Sequence, residues 1–182
     1  MSDRLYGRDV VAVAQSLIGR VVRVGEAAGL IVETEAYHES EPACHGWAGL
    51  TERTRTLFGP PGHAYVYLSY GVHTMLNAVC EPAGVGAAVL IRALEPLEGI
   101  ELMRERRRRA GIEELCSGPG KLTQALGIAL ADDGADLRAG RVTISPRRRS
   151  LAIAASPRIG ITRAVELPWR FSVPGSPYVS RR

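Results

Sequence analysis

Residues 63–80 read as two β-strands meeting at Gly71, and a strand–turn–strand of this kind commits the chain to antiparallel sheet. Expected strands cover 63–70 and 72–80. The first contains Tyr65-Val66-Tyr67-Leu68-Ser69-Tyr70-Gly71, so three of the six tyrosines fall within six residues although aromatics make up only 5% of the chain. Side chains alternate along a strand, which puts Tyr65 and Tyr67 on one face and Tyr70 on the other, beside the turn. A ring at the tip of a basic protein's hairpin can wedge between stacked bases, and rings behind it can hold an extruded base. A core strand ending in an aromatic–glycine turn has the same pattern.

Composition narrows the possibilities. At 182 residues, with 46% hydrophobic and 23% charged residues, the chain fits one domain, 1–182, with a sizeable core. The opening residues MSDRLYGRDVV do not read as a signal peptide, and no apolar run reaches bilayer length, so a cytoplasmic location without membrane contact is expected. A formal charge of +4 favours polyanionic partners. Among 23 basic residues only Lys121 is a lysine. An enzyme opening a sugar through a Schiff base needs an amine, so Lys121 and the N-terminus are the only candidates. Cys44, Cys80 and Cys116 are odd in number and widely spaced, which argues for reduced thiols, and Cys44 and His45 with His38 and His63 match no common metal-ligand spacing. No metal is expected.

Val10, Val13, Ala14 and Leu17 recur at helical spacing behind Asp9 as a cap, with Gly19 as the stop. Strands are expected over 20–24 and 28–37. In the second, alternation groups Leu30, Val32, Thr34 and Ala36 on an apolar face, with Ile31, Glu33, Glu35 and Tyr37 opposite. Residues 38–61 read as an irregular surface loop, 87–93 as a strand, and 97–109 as a helix ending in four arginines. Ser117-Gly118-Pro119-Gly120-Lys121 reads as a helix start able to receive a phosphate, and short strands are expected over 141–145, 151–155 and 170–173.

The segments VETEAY (32–37), YVYLSYG (65–71), Asn77, LIRALEPLEG (90–99), LCSGPGKLTQAL (115–126), SPRIGI (156–161) and RFSVPGSPYVS (170–180) together resemble the alkyladenine DNA glycosylase family over nearly the whole chain. The resemblance implies a single α+β domain with a mixed, largely antiparallel curved β-sheet, surrounding helices and a protruding hairpin that enters the DNA minor groove. It implies an enzyme that flips a damaged purine (3-methyladenine, hypoxanthine or ethenoadenine) from duplex DNA and hydrolyses its N-glycosidic bond. By family match Glu35 is the catalytic carboxylate, stabilising an oxocarbenium-like sugar and taking a proton from water. Arg92 contacts the DNA backbone near the lesion and helps place that water. The base pocket takes Tyr37, His45, Tyr67 and Asn77, although the Tyr37-to-His45 spacing is one residue shorter than in mammalian members. Tyr70 matches the intercalating tyrosine, the carbonyl of Ile159 a water ligand, and Arg53, Lys121 and Gly160 backbone contacts.

Glu33 is either a like charge tuning Glu35 or a structural ion-pair partner. With no other lysine than Lys121, set at a helix start suited to phosphate, strand cleavage through an imine is not expected. The protein is expected to act on duplex DNA as a monomer, nucleoid-associated when bound, without cofactor. Two other classes compete. A sugar O-glycosidase would need two carboxyls on either side of the scissile bond, which same-strand Glu33 and Glu35 supply poorly. A non-enzymatic nucleic-acid module would use the tyrosines and basic surface alone, and a carboxylate beside a phosphate path weakens such binding.

Overall fold

A computed structural model describes residues 5–109 and 111–180; the N-terminal amine weighed above lies outside them. Asp9 caps the first helix, α1 (Val10–Leu17), accepting the Ala12 N–H at 3.0 Å, and Val10, Val13, Ala14 and Leu17 face inward. Gly19, at φ +82°, turns the chain into β1 (Val21–Val24), which pairs with β2 (Ala27–His38). The hairpin follows as β3 (Ala64–Ser69) and β4 (His73–Val79), then β5 (Ala87–Glu98). Helices α2 (Ile100–Arg107), α3 (Ile112–Leu115) and α4 (Pro119–Leu126) come next, before β6 (Val142–Ile144), β7 (Ala154–Ser156) and β8 (Arg170–Ser172).

The sheet runs β3-β4-β5-β2-β1-β6, and every pairing among the described strands is antiparallel. It curls into a half-barrel: the start of β3 meets the segment before β6, where Ala64 N–H donates to the Ala135 carbonyl at 2.8 Å. With its helices it forms the single α+β domain expected, and no described helix is long and apolar enough to cross a membrane. The long β2 is central to the site. Its residues Ala27–Leu30 pair with β1, residues Glu33–Glu35 pair with β8 on that same edge, and β5 covers the other edge. Glu33, Thr34 and Glu35 are therefore mid-sheet and wholly inaccessible to solvent.

The register of β2 against β5 slips between Ile31 and Thr34. Such a bulge adds one residue and reverses which face later side chains take. The expected single apolar face is accordingly wrong: Leu30 and Val32 pack with Val21 and Ala93, whereas Ile31 and Ala36 enter the main core. Thr34 joins that core side and donates its hydroxyl to the Ala14 carbonyl of α1 at 3.0 Å. Glu33 and Glu35 stay together on the other side.

A second slip, at Ala28/Gly29, lies opposite Pro96. Proline lacks a ladder donor and is tolerated at such irregularities. Consequently β5 continues to Glu98 instead of ending near Ala93, and α2 begins at Ile100, after left-handed Gly99, instead of Leu97. Segment 38–61 is less superficial than expected, with Glu41, Cys44, Thr54 and Leu57 buried and a 3-10 turn at His45–Ala48. The last strands shift slightly, β7 lying at Ala154–Ser156 rather than 151–155. Helix α4 braces the hairpin: Thr123 donates its hydroxyl to the Thr74 carbonyl at 2.8 Å. Fully buried Leu122 and Leu126 face the core, and truncating either to Ala should cost about 2–5 kcal/mol.

Candidate active site

Alternation after the bulge sends Glu35 and Tyr37 from β2 to the same side, where Arg92 arrives from the neighbouring β5. Glu35 accepts three hydrogen bonds. The Tyr37 phenol donates to Oε2 at 2.8 Å, Arg92 Nη1 to the same oxygen at 3.1 Å, and the Ile159 backbone N–H to Oε1 at 2.7 Å. Ile159 thus contributes its amide, a contact that the sequence did not point to. Tyr37, Arg92 and Ile159 all line one cavity of about 540 Å³, so the carboxylate lies behind the wall they form. That volume is in the range of small-molecule pockets.

Glu33 has its own partners. Arg170 Nε, the Ser180 N–H and the Ser180 hydroxyl donate to it at 2.6, 2.6 and 2.8 Å, and Arg92 Nε stands 3.3 Å away. Of the two readings open from sequence, the structural ion pair is the one seen. Arg92 is itself nearly buried between the two carboxylates, so its charge is balanced from inside the protein.

The opposite wall is aromatic. Cys44 starts the 3-10 turn, its Sγ accepting the Gly46 N–H at 3.3 Å, and the turn presents His45 to the rings of β3. His45 stands edge-on to Tyr67, centroids 4.5 Å apart, while Tyr65 and Tyr67 lie 5.3 Å apart. Tyr65 has a role that the sequence did not reveal: its hydroxyl meets His45 Nδ1 at 3.1 Å, so it orients the imidazole as well as packing. The shorter Tyr37-to-His45 spacing does not prevent His45 from lining the cavity. Desolvation, followed by the charge of Arg53, lowers the pKa of His45, leaving a neutral ring near pH 7. Burial, reinforced by Glu35, raises that of Tyr37, which stays a hydrogen-bond donor. Asn77 also lines the cavity, with Nδ2 donating to the Tyr65 carbonyl at 3.0 Å.

Tyr70 is 95% exposed. It belongs to the turn itself, so its direction is set there and not by strand alternation: Tyr70 has φ +51° and Gly71 φ +68°, and Val72 N–H closes onto the Ser69 carbonyl at 3.1 Å. A bulky residue with positive φ is strained, and such strain persists chiefly where function requires it. Arg53 is exposed and lines the cavity. So does Gly160, exposed at φ +75°, where an added Cβ would meet no atom within 4 Å, so a ligand could approach its backbone closely. Lys121 is not on the cavity wall. It is exposed in the first turn of α4, Nζ 3.3 Å from Ser117 Oγ, two residues beyond Pro119, which is on the wall.

The residue most clearly missed is Arg158. Its buried guanidinium forks onto Glu41 at 2.7 and 2.9 Å and lies 4.6 Å from the centroid of the Tyr37 ring. An arginine beside the Ile-Gly of SPRIGI was the available signal. Its partner Glu41, 117 residues earlier, carried none.

A sequence profile described as methylpurine-DNA glycosylase (MPG) matches residues 4–177. A Bradyrhizobium diazoefficiens protein is 53% identical over 176 residues, covering 97% of this chain and 88% of the relative. An Agrobacterium fabrum protein is 51% identical over 177 residues (97% and 90%), and one from Nitrosospira multiformis 48% over 176 (97% and 91%). All three bear 3-methyladenine DNA glycosylase in their names. With a family match across almost its whole length and relatives near half identity, the chain belongs to the methylpurine-DNA glycosylase family.

Proposed function

We propose that this DNA glycosylase flips alkylated or deaminated purines out of duplex DNA, 3-methyladenine, hypoxanthine and ethenoadenine among them, and hydrolyses the N-glycosidic bond with water activated by Glu35. The observation that carries the reading is a fully buried carboxylate held by three donors behind an aromatic cavity, beneath an exposed tyrosine at a hairpin tip.

Tyr70 fills the gap left by the extruded nucleotide, since unstacking costs a few kcal/mol and a wedge opposes the base's return. The base enters between Tyr37 on one side and His45 and Tyr67 on the other. Electron-poor, often cationic rings are favoured there by stacking and cation–π attraction of about 1 kcal/mol or more. Asn77 limits what fits at the floor. As the bond breaks, positive charge grows on the sugar; Glu35 stabilises it and takes the water's proton, while Arg92 and Ile159 fix the carboxylate and help position that water. Arg53, Gly160 and Lys121 hold phosphates outside the cavity.

The product is an abasic site with an intact strand, a reading supported by the position of the only lysine, Lys121, off the cavity wall. Glu33, already engaged by Arg170 and Ser180, is not a second catalytic carboxyl of the kind that an O-glycosidase requires. The enzyme acts as a monomer in the cytoplasm. Duplexes carrying each lesion, incubated with excess protein, should accumulate abasic sites with wild type and not with Glu35→Gln. No release by wild type sinks the excision reading, and full activity in Glu35→Gln sinks the mechanism. Borohydride trapping of protein on DNA would overturn the strand-sparing chemistry.

A further inference from the structure

We infer that Arg158 is a positioning residue for base excision, acting through Tyr37 and Ile159 to hold both oxygens of Glu35; this rests on the excision reading above. One guanidinium makes four hydrogen bonds and two ring contacts around the site. Nη1 donates to the Ala36 carbonyl at 2.8 Å, next to Tyr37 in the chain, and to Glu41 Oε1 at 2.7 Å. Nη2 donates to Glu41 Oε2 at 2.9 Å and to the Ala164 carbonyl at 3.4 Å. Its Cζ stacks 4.6 Å from the Tyr37 centroid and 5.4 Å from that of Trp169.

The consequence follows from chain neighbours. Tyr37 is backed on one ring face by Arg158, which fixes the direction of its hydroxyl toward Glu35 Oε2 and leaves the other face to the cavity. Ile159, the next residue after Arg158, donates its amide to Glu35 Oε1. Both donors therefore depend on where the guanidinium sits. The same pair reaches the His45 wall: Glu41 Oε2 also accepts the Ala43 N–H at 2.8 Å, tying down the segment that ends at Cys44 and His45. A wholly buried ion pair that only supported the fold could lie anywhere in the core. This one joins three segments, around 36–37, 41–45 and 158–159, that each supply a wall or a donor.

Arginine is required by this geometry, because a lysine ammonium keeps the charge but can neither fork onto a carboxylate nor lie flat against a ring. Excision of hypoxanthine should be measured in single turnover with protein in excess, so that the rate constant is independent of the folded fraction. Arg158→Lys should lower that rate at least ~10-fold while the dissociation constant for lesion duplex moves less than ~3-fold. In a Tyr37→Phe background, already lacking the hydroxyl, Arg158→Lys should cost less than it does in wild type, the remainder being the share carried through the Ile159 amide, because coupled residues are not additive. Glu41→Gln, which keeps the guanidinium, should reproduce the loss. A wild-type rate in either folded variant overturns the inference, as does a full additive loss in the Tyr37→Phe background. If neither variant folds, the pair serves stability alone and the inference fails. Absence of release by wild type would instead remove the excision reading.

Discussion

Tyr37 donates its phenol hydrogen to Oε2 of Glu35 across 2.8 Å, from two residues further along the same strand. Alternation puts the two side chains on one face, and the bulge before them turns that face to the cavity side, where Arg92 reaches the same oxygen. Tyr37→Phe keeps the ring wall and removes one of three donors. A hydrogen bond to a charged group contributes about 1.5–3 kcal/mol, so the single-turnover rate should fall about 10- to 100-fold with lesion binding nearly unchanged. An equal loss in binding and rate would show that the hydroxyl serves the base and not the carboxylate.

Alkaline pH should destabilise the protein early. Burial holds the thiols of Cys44 and Cys116 up to about 12 and raises Cys80 as well. Burial likewise raises Tyr6, to about 12, and Tyr37, Tyr65 and Tyr67. In the unfolded chain thiols release their protons near pH 8.5 and phenols near 10. Above those values the folded state holds protons that the unfolded state has lost, so stability present below pH ~8.5 declines as pH rises, by about 1.4 kcal/mol per pH unit for each group. Urea unfolding at pH 8, 9.5 and 10.5 should show this decline, and Cys116→Ala should make it shallower by about a third between 9 and 10, since two raised thiols remain. A constant free energy to pH 10.5 would contradict the burial of these groups.

Glu33 and Glu35 should respond oppositely to the same change. Glu33→Gln leaves Arg170 and Arg92 buried without that counter-charge, and breaking such a pair costs about 3–5 kcal/mol. Tm should drop by roughly 6–12 °C or more, while the folded fraction still releases base. Glu35→Gln should lose release by about 100-fold or more, the usual contribution of a positioned base. Equal loss of release in both variants would mean that the two carboxylates act as one catalytic unit.

What the sequence disclosed was whatever local pattern controls. Glu35, Tyr37 and the tyrosine run were visible because strand alternation and a glycine turn act over a few residues, and the family motifs then assigned them roles. The face switch in β2 was hidden, since a bulge depends on the register of β5, some 60 residues away. Arg158 escaped because its contacts lie at 36, 37 and 41, and a lone arginine before Ile-Gly carries no trace of those partners. The partner of the Tyr65 hydroxyl was hidden for the same reason, since only the turn at 45–48 supplies the imidazole that it meets.

Tyr70 gives the sharpest separation of function from stability. Its ring is almost fully exposed, so removal costs no core packing, while its φ of +51° is a conformation that glycine adopts without strain. Tyr70→Gly should therefore leave the fold at least as stable, with a gain of about 1 kcal/mol and a Tm rise of about 2–4 °C. Lesion capture should weaken in the same variant, because nothing then occupies the gap in the base stack. Thermal unfolding and single-turnover excision on one protein preparation read both effects. A lower Tm would show that the turn is not strained, and unchanged capture would remove Tyr70 as the wedge. If both expectations hold, the hairpin tip carries a strained tyrosine at a net cost to stability, which selection for DNA binding explains and packing does not.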